Sequence, residues 1–459
     1  MVEGGIVKRA TLRRAVVGSM AGSIVEWYEF FIYSTAAALV FSRTFFPESD
    51  NPLDAVLAAF LTYAVGFVAR PLGGIVFGQL GDRYGRKKLL QVSLLTIGIA
   101  TFLMGCLPDF SVWGYAAPIT LALLRFVQGF AVGGEWGGAV LLVGEHSPPA
   151  QRGYWSSYPQ AAACAGNVLA SVVLLTANSL LSDAAFLTWG WRIAFWLSAV
   201  VVIVGYYIRT KVEDAPIFKQ AAAERERRRD DAVGFGVVLR EYPVVVLKAA
   251  VVRVGENALY FLIVAFSLTY LTLSDLLSSQ DVLLILLIGN VVQFFAMLVG
   301  GYLADRLGRR RTFLLGGVLC LVWAPFYFPL LNTGSFAIVL FAMLWGLIPQ
   351  AFMSATVASL FSEMFPTRAR YSGISAAYQL GAILGGSLSL SSPPNCGVRP
   401  GRGGRLRSTS SSCWASRCSC WCAACGRLLV CGWKMWMTRR NSGLRDTVDG
   451  RGTLIYPLL

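Results

Sequence analysis

The sequence predicts an all-α polytopic membrane protein built as two six-helix bundles, the second of them incomplete, and three observations carry that reading. The 459 residues are 56% hydrophobic and 14% charged, with a mean hydropathy of +0.59, far from the roughly half-apolar, quarter-charged makeup of a soluble domain. Charge-free runs recur at the length of about 20 residues that a bilayer crossing needs. One polar phrase, GQLGDRYGRKK at Gly78 to Lys88, returns as GYLADRLGRRR at Gly301 to Arg311, each time straight after a long apolar run.

The clearest spans are the charge-free stretches Leu89 to Pro108, Gly153 to Ser182, Val282 to Ala304, and Thr312 to Ser362, which an Asn332-Thr333-Gly334 turn divides in two. With weaker segments that carry isolated charges, spans are expected at 15–41, 54–80, 89–108, 114–144, 154–181, 186–208, 243–272, 280–303, 312–331 and 335–361, with an eleventh beginning at 371. The first apolar segment holds Glu26 and Glu29 and is too long for a cleavable signal peptide. Lys and Arg crowd alternate connections: Lys8 to Arg14, Arg83 to Lys88, Arg152, Arg209 to Arg240, Arg306 to Arg311, and Arg368 with Arg370. By the positive-inside rule those connections and the N-terminus are cytoplasmic.

The repeated phrase marks an internal duplication. Asp82 and Asp305 lie 223 residues apart, and PPAQRGYWSS after the fourth span matches PTRARYSGIS after the tenth, with Arg152 and Arg370 separated by 218. The chain therefore divides into a first bundle at 1–210, a charged cytoplasmic loop at 211–241 containing KQAAAERERRRDD, a second bundle at 242–389, and a tail at 390–459. Two six-span halves suit a carrier that rocks about a site near the bilayer midplane.

The doubled phrase, with EWYEFFIYS (Glu26 to Ser34), RFVQGFAVGGEWGGA (Arg125 to Ala139) and WGWRIAF (Trp189 to Phe195), resembles the major facilitator superfamily and, within it, the metabolite:proton symporter branch. Members of that branch carry shikimate, 2-oxoglutarate, citrate, proline or betaine, and spans one to four are most similar to shikimate transporters. The resemblance covers about residues 10–388 and implies a cytoplasmic latch between the halves, made by Gly78, Asp82, Arg83, Gly85 and Arg86 and by Gly301, Asp305, Arg306, Gly308 and Arg309. It also implies that Asp82 meets the start of helix eleven near Tyr371 to Gly373. Physically, glycine at Gly78 and Gly81 permits close helix approach, Gly85 permits a sharp turn, and the Arg86–Lys88 cluster holds the loop at an anionic leaflet. A carboxylate at Asp82 would accept hydrogen bonds from Arg83 or from a facing helix N-terminus.

Charges inside the spans are the candidate transport residues, because each costs about 2.5 to 3.5 kcal/mol at mid-bilayer and so faces a partner or an aqueous cavity. Glu26 and Glu29 share a face of span one, with Trp27, Tyr28 and Tyr33 around them. Arg70 lies in span two, Arg125 and Glu135 in span four, and Arg253 with Glu256 in span seven. A carboxyl whose distance to an arginine changes with conformation takes up and releases a proton, which suits Glu26, Glu29 and Glu135 near Arg125. Fixed guanidinium charge suits an anionic substrate, so Arg70, Arg125 and Arg253 are candidate carboxylate binders, with Tyr28, Tyr33, Gln128, Trp136, Glu256 and Asn257 as further substrate contacts. Two plainer readings stay open: Arg253 neutralises Glu256, and Arg125 neutralises a glutamate of span one. His146, the one histidine, precedes Pro148-Pro149 and is expected as a solvated loop residue.

The tail reads differently. Seven of the ten cysteines and 11 Lys and Arg against two Asp fall in 388–459, so the net charge of +15 is largely a property of the tail and implies no nucleic-acid partner. Cys418, Cys420, Cys422 and Cys425 lack a partnering histidine or a second spaced pair, so no metal site is expected. One codon choice for Leu390 to Cys396, displaced by two nucleotides, gives Leu-Ile-Ala-Thr-Glu-Leu. The expectation is thus a frame-shifted, disordered tail, with helix eleven cut short, helix twelve missing and activity reduced. No phosphate-binding loop occurs, so no cofactor, nucleotide or enzymatic step is expected. The favoured function is proton-coupled symport of a small organic acid or zwitterion by a monomer in the bacterial plasma membrane, its partners being substrate, proton and lipid. The alternatives are a non-transporting receptor on the same fold and an inactive truncated carrier.

Overall fold

The structure, a computed structural model, describes the backbone of residues 2–47, 52–84, 86–133, 135–210, 235–274, 276–366, 370–390, 398–400 and 406–408. Eleven long helices follow one another among these residues. They are α1 (Val2–Ala36), α2 (Pro52–Tyr84), α3 (Arg86–Gly105), α4 (in two segments, Ala116–Val132 and Glu135–His146), α5 (Arg152–Leu180), α6 (Arg192–Thr210), α7 (Pro243–Phe261), α8 (Ser279–Leu307), α9 (Arg309–Leu331), α10 (Phe336–Met364) and α11 (Arg370–Leu390). Seven stretches are long and apolar enough to cross a membrane, and Leu61–Phe77 in α2 and Gln91–Gly105 in α3 are shorter apolar helices. This is a multi-pass membrane protein with all-α architecture; Val398–Pro400 and Leu406–Ser408 form a short antiparallel pair. The expected tail, and any helix twelve, otherwise lie outside the described residues, as does most of the 211–241 loop.

Several elements depart from the expected spans for physical reasons. The doubled phrase is not a loop: α2 runs helically to Tyr84 and α3 resumes at Arg86, while α8 ends at Leu307 and α9 resumes at Arg309. In the second copy the whole turn is made at Gly308, whose φ of 94° lies in the left-handed region that glycine enters without a Cβ clash. His146 is likewise not a loop residue. It closes the last turn of α4, half-buried, with its Nδ1 2.7 Å from the Leu142 carbonyl oxygen.

Packing repeats between the halves as the sequence does. In the first half α1 packs on α5 and α2 on α4; in the second α7 packs on α11 and α8 on α10. The halves meet through α5 on α8 and α2 on α11. Small residues set these distances. A Cβ on Gly129 would sit 2.1 Å from the Gly66 carbonyl oxygen, so α2 and α4 touch backbone to backbone. Across the interface, a Cβ on Gly153 of α5 would sit 2.9 Å from the Gly301 carbonyl oxygen of α8.

Candidate functional site

The end of the interface where α8 finishes and α5 begins is held by the second copy of the phrase. The backbone N–H groups of Gly153 and Tyr154, in the first turn of α5, donate to Asp305 Oδ1 and Oδ2, each at 2.8 Å. A carboxylate on a helix N-terminus completes unsatisfied amide donors and complements the dipole. Asp305 also lies 3.8 Å from Arg309, which reaches Glu363 of α10 at 3.0 Å. Gly301 permits the approach, Gly308 makes the turn, and Arg306 lies over the Tyr302 ring at 5.3 Å. The side chains of the first copy, Gly78, Asp82, Arg83, Gly85 and Arg86, lie outside the described residues, as does the side chain of Tyr371.

Away from that end, the halves are closed by aromatic residues: Trp27 and Phe31 against Tyr260 at 6.3 and 6.2 Å, and Phe30 and Phe67 against Phe261 at 5.8 and 5.7 Å. Between the two closures the halves exchange polar contacts. Trp136 of α4 stacks on Tyr378 of α11 at 3.6 Å and 16°, and its indole N–H donates to Gln160 at 2.7 Å. Gln160 donates to the Ser354 carbonyl at 3.1 Å, and Gln379 to the Gly133 carbonyl at 2.8 Å.

Inside the first half, Glu26, Phe30, Arg70, Ile97, Arg125 and Gln128 line one small cavity. Close contact of α2 with α4 brings the two arginines together there. The Arg125 guanidinium lies 4.2, 4.8 and 5.5 Å from the ring centres of Tyr33, Tyr63 and Phe30, and that of Arg70 lies 4.9 and 5.2 Å from Phe67 and Phe30. Such contacts contribute roughly 0.5 to 2 kcal/mol each, most when desolvated. Arg125 Nη1 donates to Gln128 Oε1. Thr101 Oγ1 of α3 then lies 2.6 Å from Gln128 Nε2, 2.9 Å from the Ile97 carbonyl oxygen and 2.7 Å from Glu29 Oε2. Tyr33 hydrogen-bonds Thr62 at 2.8 Å.

Inside the second half a different chain forms. Arg253 Nη1 donates to Glu256 Oε2, and Nη2 donates to the Tyr378 hydroxyl at 2.8 Å. Gln350 donates to Glu256 Oε1 at 2.6 Å, Gln293 donates to Gln350 at 2.6 Å, and the Cys164 thiol of α5 donates to Gln293 at 3.3 Å. Arg125 and Arg253 each keep an Nε–H without a protein partner among the described residues.

The structure thus brings Glu26, Arg70, Arg125 and Gln128 together, places Glu29 behind them through Thr101, and sets Arg253 with Glu256 in a second cluster. Three expected substrate contacts point elsewhere. The Tyr28 hydroxyl donates to the Ala194 carbonyl of α6 at 2.6 Å, Asn257 donates to the Ala382 carbonyl of α11 at 3.3 Å, and Trp136 spans the interface. Glu135 accepts from Ser93 of α3 at 3.2 Å. Thr101, Gln293, Gln350, Gln160 and Tyr378 were not anticipated from sequence. They are uncharged, so a search for charges within apolar spans passes over them; an amide in an apolar run was the available signal.

Comparison with known proteins accords with this architecture. The family model described as Major Facilitator Superfamily matches residues 16–389. An inner membrane metabolite transport protein of Escherichia coli strain K12, YhjE, is 38% identical over 381 residues, covering 82% of this chain and 86% of its own. The shikimate transporter of the same strain is 38% identical over 386 residues (84% and 88%), and its proline/betaine transporter 33% over 387 (83% and 77%). Among solved structures, the proton:xylose symporter XylE superposes with a TM-score of 0.72 at 15% identity, covering 93% of this chain and 96% of that one, a likeness of fold. With two matched halves and a buried charged cluster inside each, the chain belongs to the Major Facilitator Superfamily, a family of membrane transporters and not of enzymes.

Proposed function

We propose that this protein is a proton-coupled symporter of a small carboxylate-bearing metabolite, an organic acid or a zwitterion, working by alternating access in the bacterial inner membrane with its N-terminus cytoplasmic. The observation that carries the reading is the cavity in which Glu26 faces the guanidiniums of Arg70 and Arg125. A guanidinium with a spare N–H is a fixed, always-charged carboxylate acceptor, and a carboxyl beside it is the group whose protonation changes when a second anion arrives. Arg253, with its own spare N–H beside Glu256, supplies the facing contact from the second half. The names of the relatives, a shikimate transporter and proline/betaine transporters, support this substrate class.

Alternating access assigns the two closures their roles. The Asp305 latch and its expected counterpart at Asp82 hold the cytoplasmic side, and the aromatic contacts of Phe30, Phe67 and Phe261 hold the outer side. The test is uptake into proteoliposomes containing the full chain, and into a parallel version continued in the displaced frame after Gly386. Labelled shikimate, betaine and a purely cationic amine are compared under an imposed inward proton gradient. Gradient-driven accumulation of a carboxylate, lost in Arg125→Ala, is expected. Accumulation of the cation, indifferent to Arg125→Ala, would overturn the reading.

A further inference from the structure

Among the described residues, seven charged side chains are buried in the closed interior: Glu26, Glu29, Glu135 and Glu256 against Arg70, Arg125 and Arg253. Fully ionised, they leave one negative charge in excess. An uncompensated buried ion is costly and neutralises instead, so a proton on one of these carboxyls restores the balance.

Hydrogen-bond polarity separates Glu256 from Glu29. In the second half every donor aimed at Glu256 is an N–H: Arg253 occupies one oxygen and Gln350 the other. Glu256 only accepts. In the first half the direction is set from the other end. Arg125 has only donors, so it fixes Gln128 Oε1 as acceptor and turns the Gln128 NH2 toward Thr101. The Thr101 hydroxyl owns one hydrogen and lies between three partners. It accepts from Gln128, and its one hydrogen faces two acceptors, Glu29 Oε2 at 2.7 Å and the Ile97 carbonyl oxygen at 2.9 Å. One hydrogen cannot serve both, and both contacts are satisfied together when Glu29 supplies a hydrogen of its own. Glu29 Oε1 has no partner among the described residues, which a neutral carboxyl tolerates far better than a carboxylate. The charged groups facing Glu29 are Arg125 and Glu135 from α4, with Tyr28 beside it on α1. Arg125 reaches it through Gln128 and Thr101.

We propose that Glu29 carries a resident proton in the closed carrier, held there by the Arg125–Gln128–Thr101 chain, and that the transported proton rides on Glu26. This rests on the symport reading and deepens it. A substrate carboxylate entering the cavity adds one negative charge, and the closed interior keeps its balance by taking one further proton from the side of entry. Glu26, which lines the cavity, receives it; Glu29, already protonated, does not. One proton then crosses with each carboxylate, substrate and proton leave together, and the loaded step carries no net charge.

The proposal is tested by infrared spectroscopy of the purified, substrate-free full chain in H2O and D2O. The expected result is a deuterium-sensitive protonated-carboxyl band that disappears in Glu29→Gln, shifts in Thr101→Val and persists in Glu26→Gln. Absence of the band, or its loss in Glu26→Gln with retention in Glu29→Gln, would overturn the assignment. In proteoliposomes, shikimate uptake is expected to respond to a proton gradient and to stay within about twofold when a membrane potential is imposed alone. Potential-driven accumulation would overturn the charge balance while leaving symport intact. Failure of the gradient to drive uptake would instead remove the symport reading, and the infrared assignment would still be decided by its own band.

Discussion

Each half carries a pair of ionisable residues three apart on its first helix, and the two pairs are bonded differently. In the second half the pair is Arg253 and Glu256, and its charges are satisfied in place by direct contact, by Tyr378 and by a file of amides running to Cys164. In the first half the pair is Glu26 and Glu29; the nearby cation, Arg125, is bonded to an amide, and the chain from it reaches Glu29 only through the Thr101 hydroxyl. One half is electrostatically closed and the other holds surplus acid. A duplicated scaffold therefore does not imply duplicated bonding: the pair on the first helix is ion-paired in one half and is two carboxyls in the other.

The largest expected effect breaks the anchored half. Glu256→Gln leaves Arg253 buried without its carboxylate and sets an amide N–H against the Gln350 donor, so a loss of about 3 to 5 kcal/mol is expected, read as a steep fall in thermal stability in detergent. Glu29→Gln, a neutral-for-neutral exchange, is expected to lose under about 1 kcal/mol in the same assay. Equal losses in the two variants would erase the distinction between the halves.

Next come the amides. Gln293→Leu strands the Gln350 carbonyl and the Cys164 thiol, with an expected loss of about 1 to 3 kcal/mol from the unsatisfied buried group. Thr101→Val removes a single hydroxyl from the first-half chain and is expected to cost about 0.5 to 1.5 kcal/mol. A Thr101→Val loss larger than that of Gln293→Leu would indicate that the first half is the more rigidly bonded. Smallest is the latch: Asp305→Asn keeps an acceptor over the α5 N-terminus but removes the charge, worth about 0.3 to 1 kcal/mol. It is expected to show chiefly as increased thiol-reagent labelling of a cysteine placed at Ser157, beside Gly301. Unchanged labelling would remove Asp305 from the closure.

Much of this was legible in the sequence. The stretch expected at 243–272 is the apolar span Pro243–Thr272, and the fifth and tenth spans agree within a few residues, because helix length against bilayer thickness is a one-dimensional constraint. The duplication was legible from Asp82 and Asp305, and so was the chemistry of a carboxylate over a facing helix N-terminus, which Asp305 adopts. Other features depend on geometry that spacing does not encode. Tyr28 sits within the motif that holds Glu26 and Glu29, yet turns to α6 because a residue two positions along a helix lies on another face. Which neighbour donates to Thr101 is decided by Arg125, 24 positions away in sequence. The turn in the repeated phrase reads as a loop from its polarity, whereas one glycine at Gly308 makes it in the second copy.

The central claim is that the resident and transported protons occupy different glutamates of α1. It is tested most directly by comparing Glu26→Gln and Glu29→Gln in proteoliposomes, measuring uphill accumulation under a proton gradient and, separately, one-for-one substrate exchange without a gradient. The expected result is that Glu26→Gln abolishes accumulation and keeps exchange, while Glu29→Gln keeps both within about threefold. Loss of accumulation in Glu29→Gln with accumulation intact in Glu26→Gln would contradict the account.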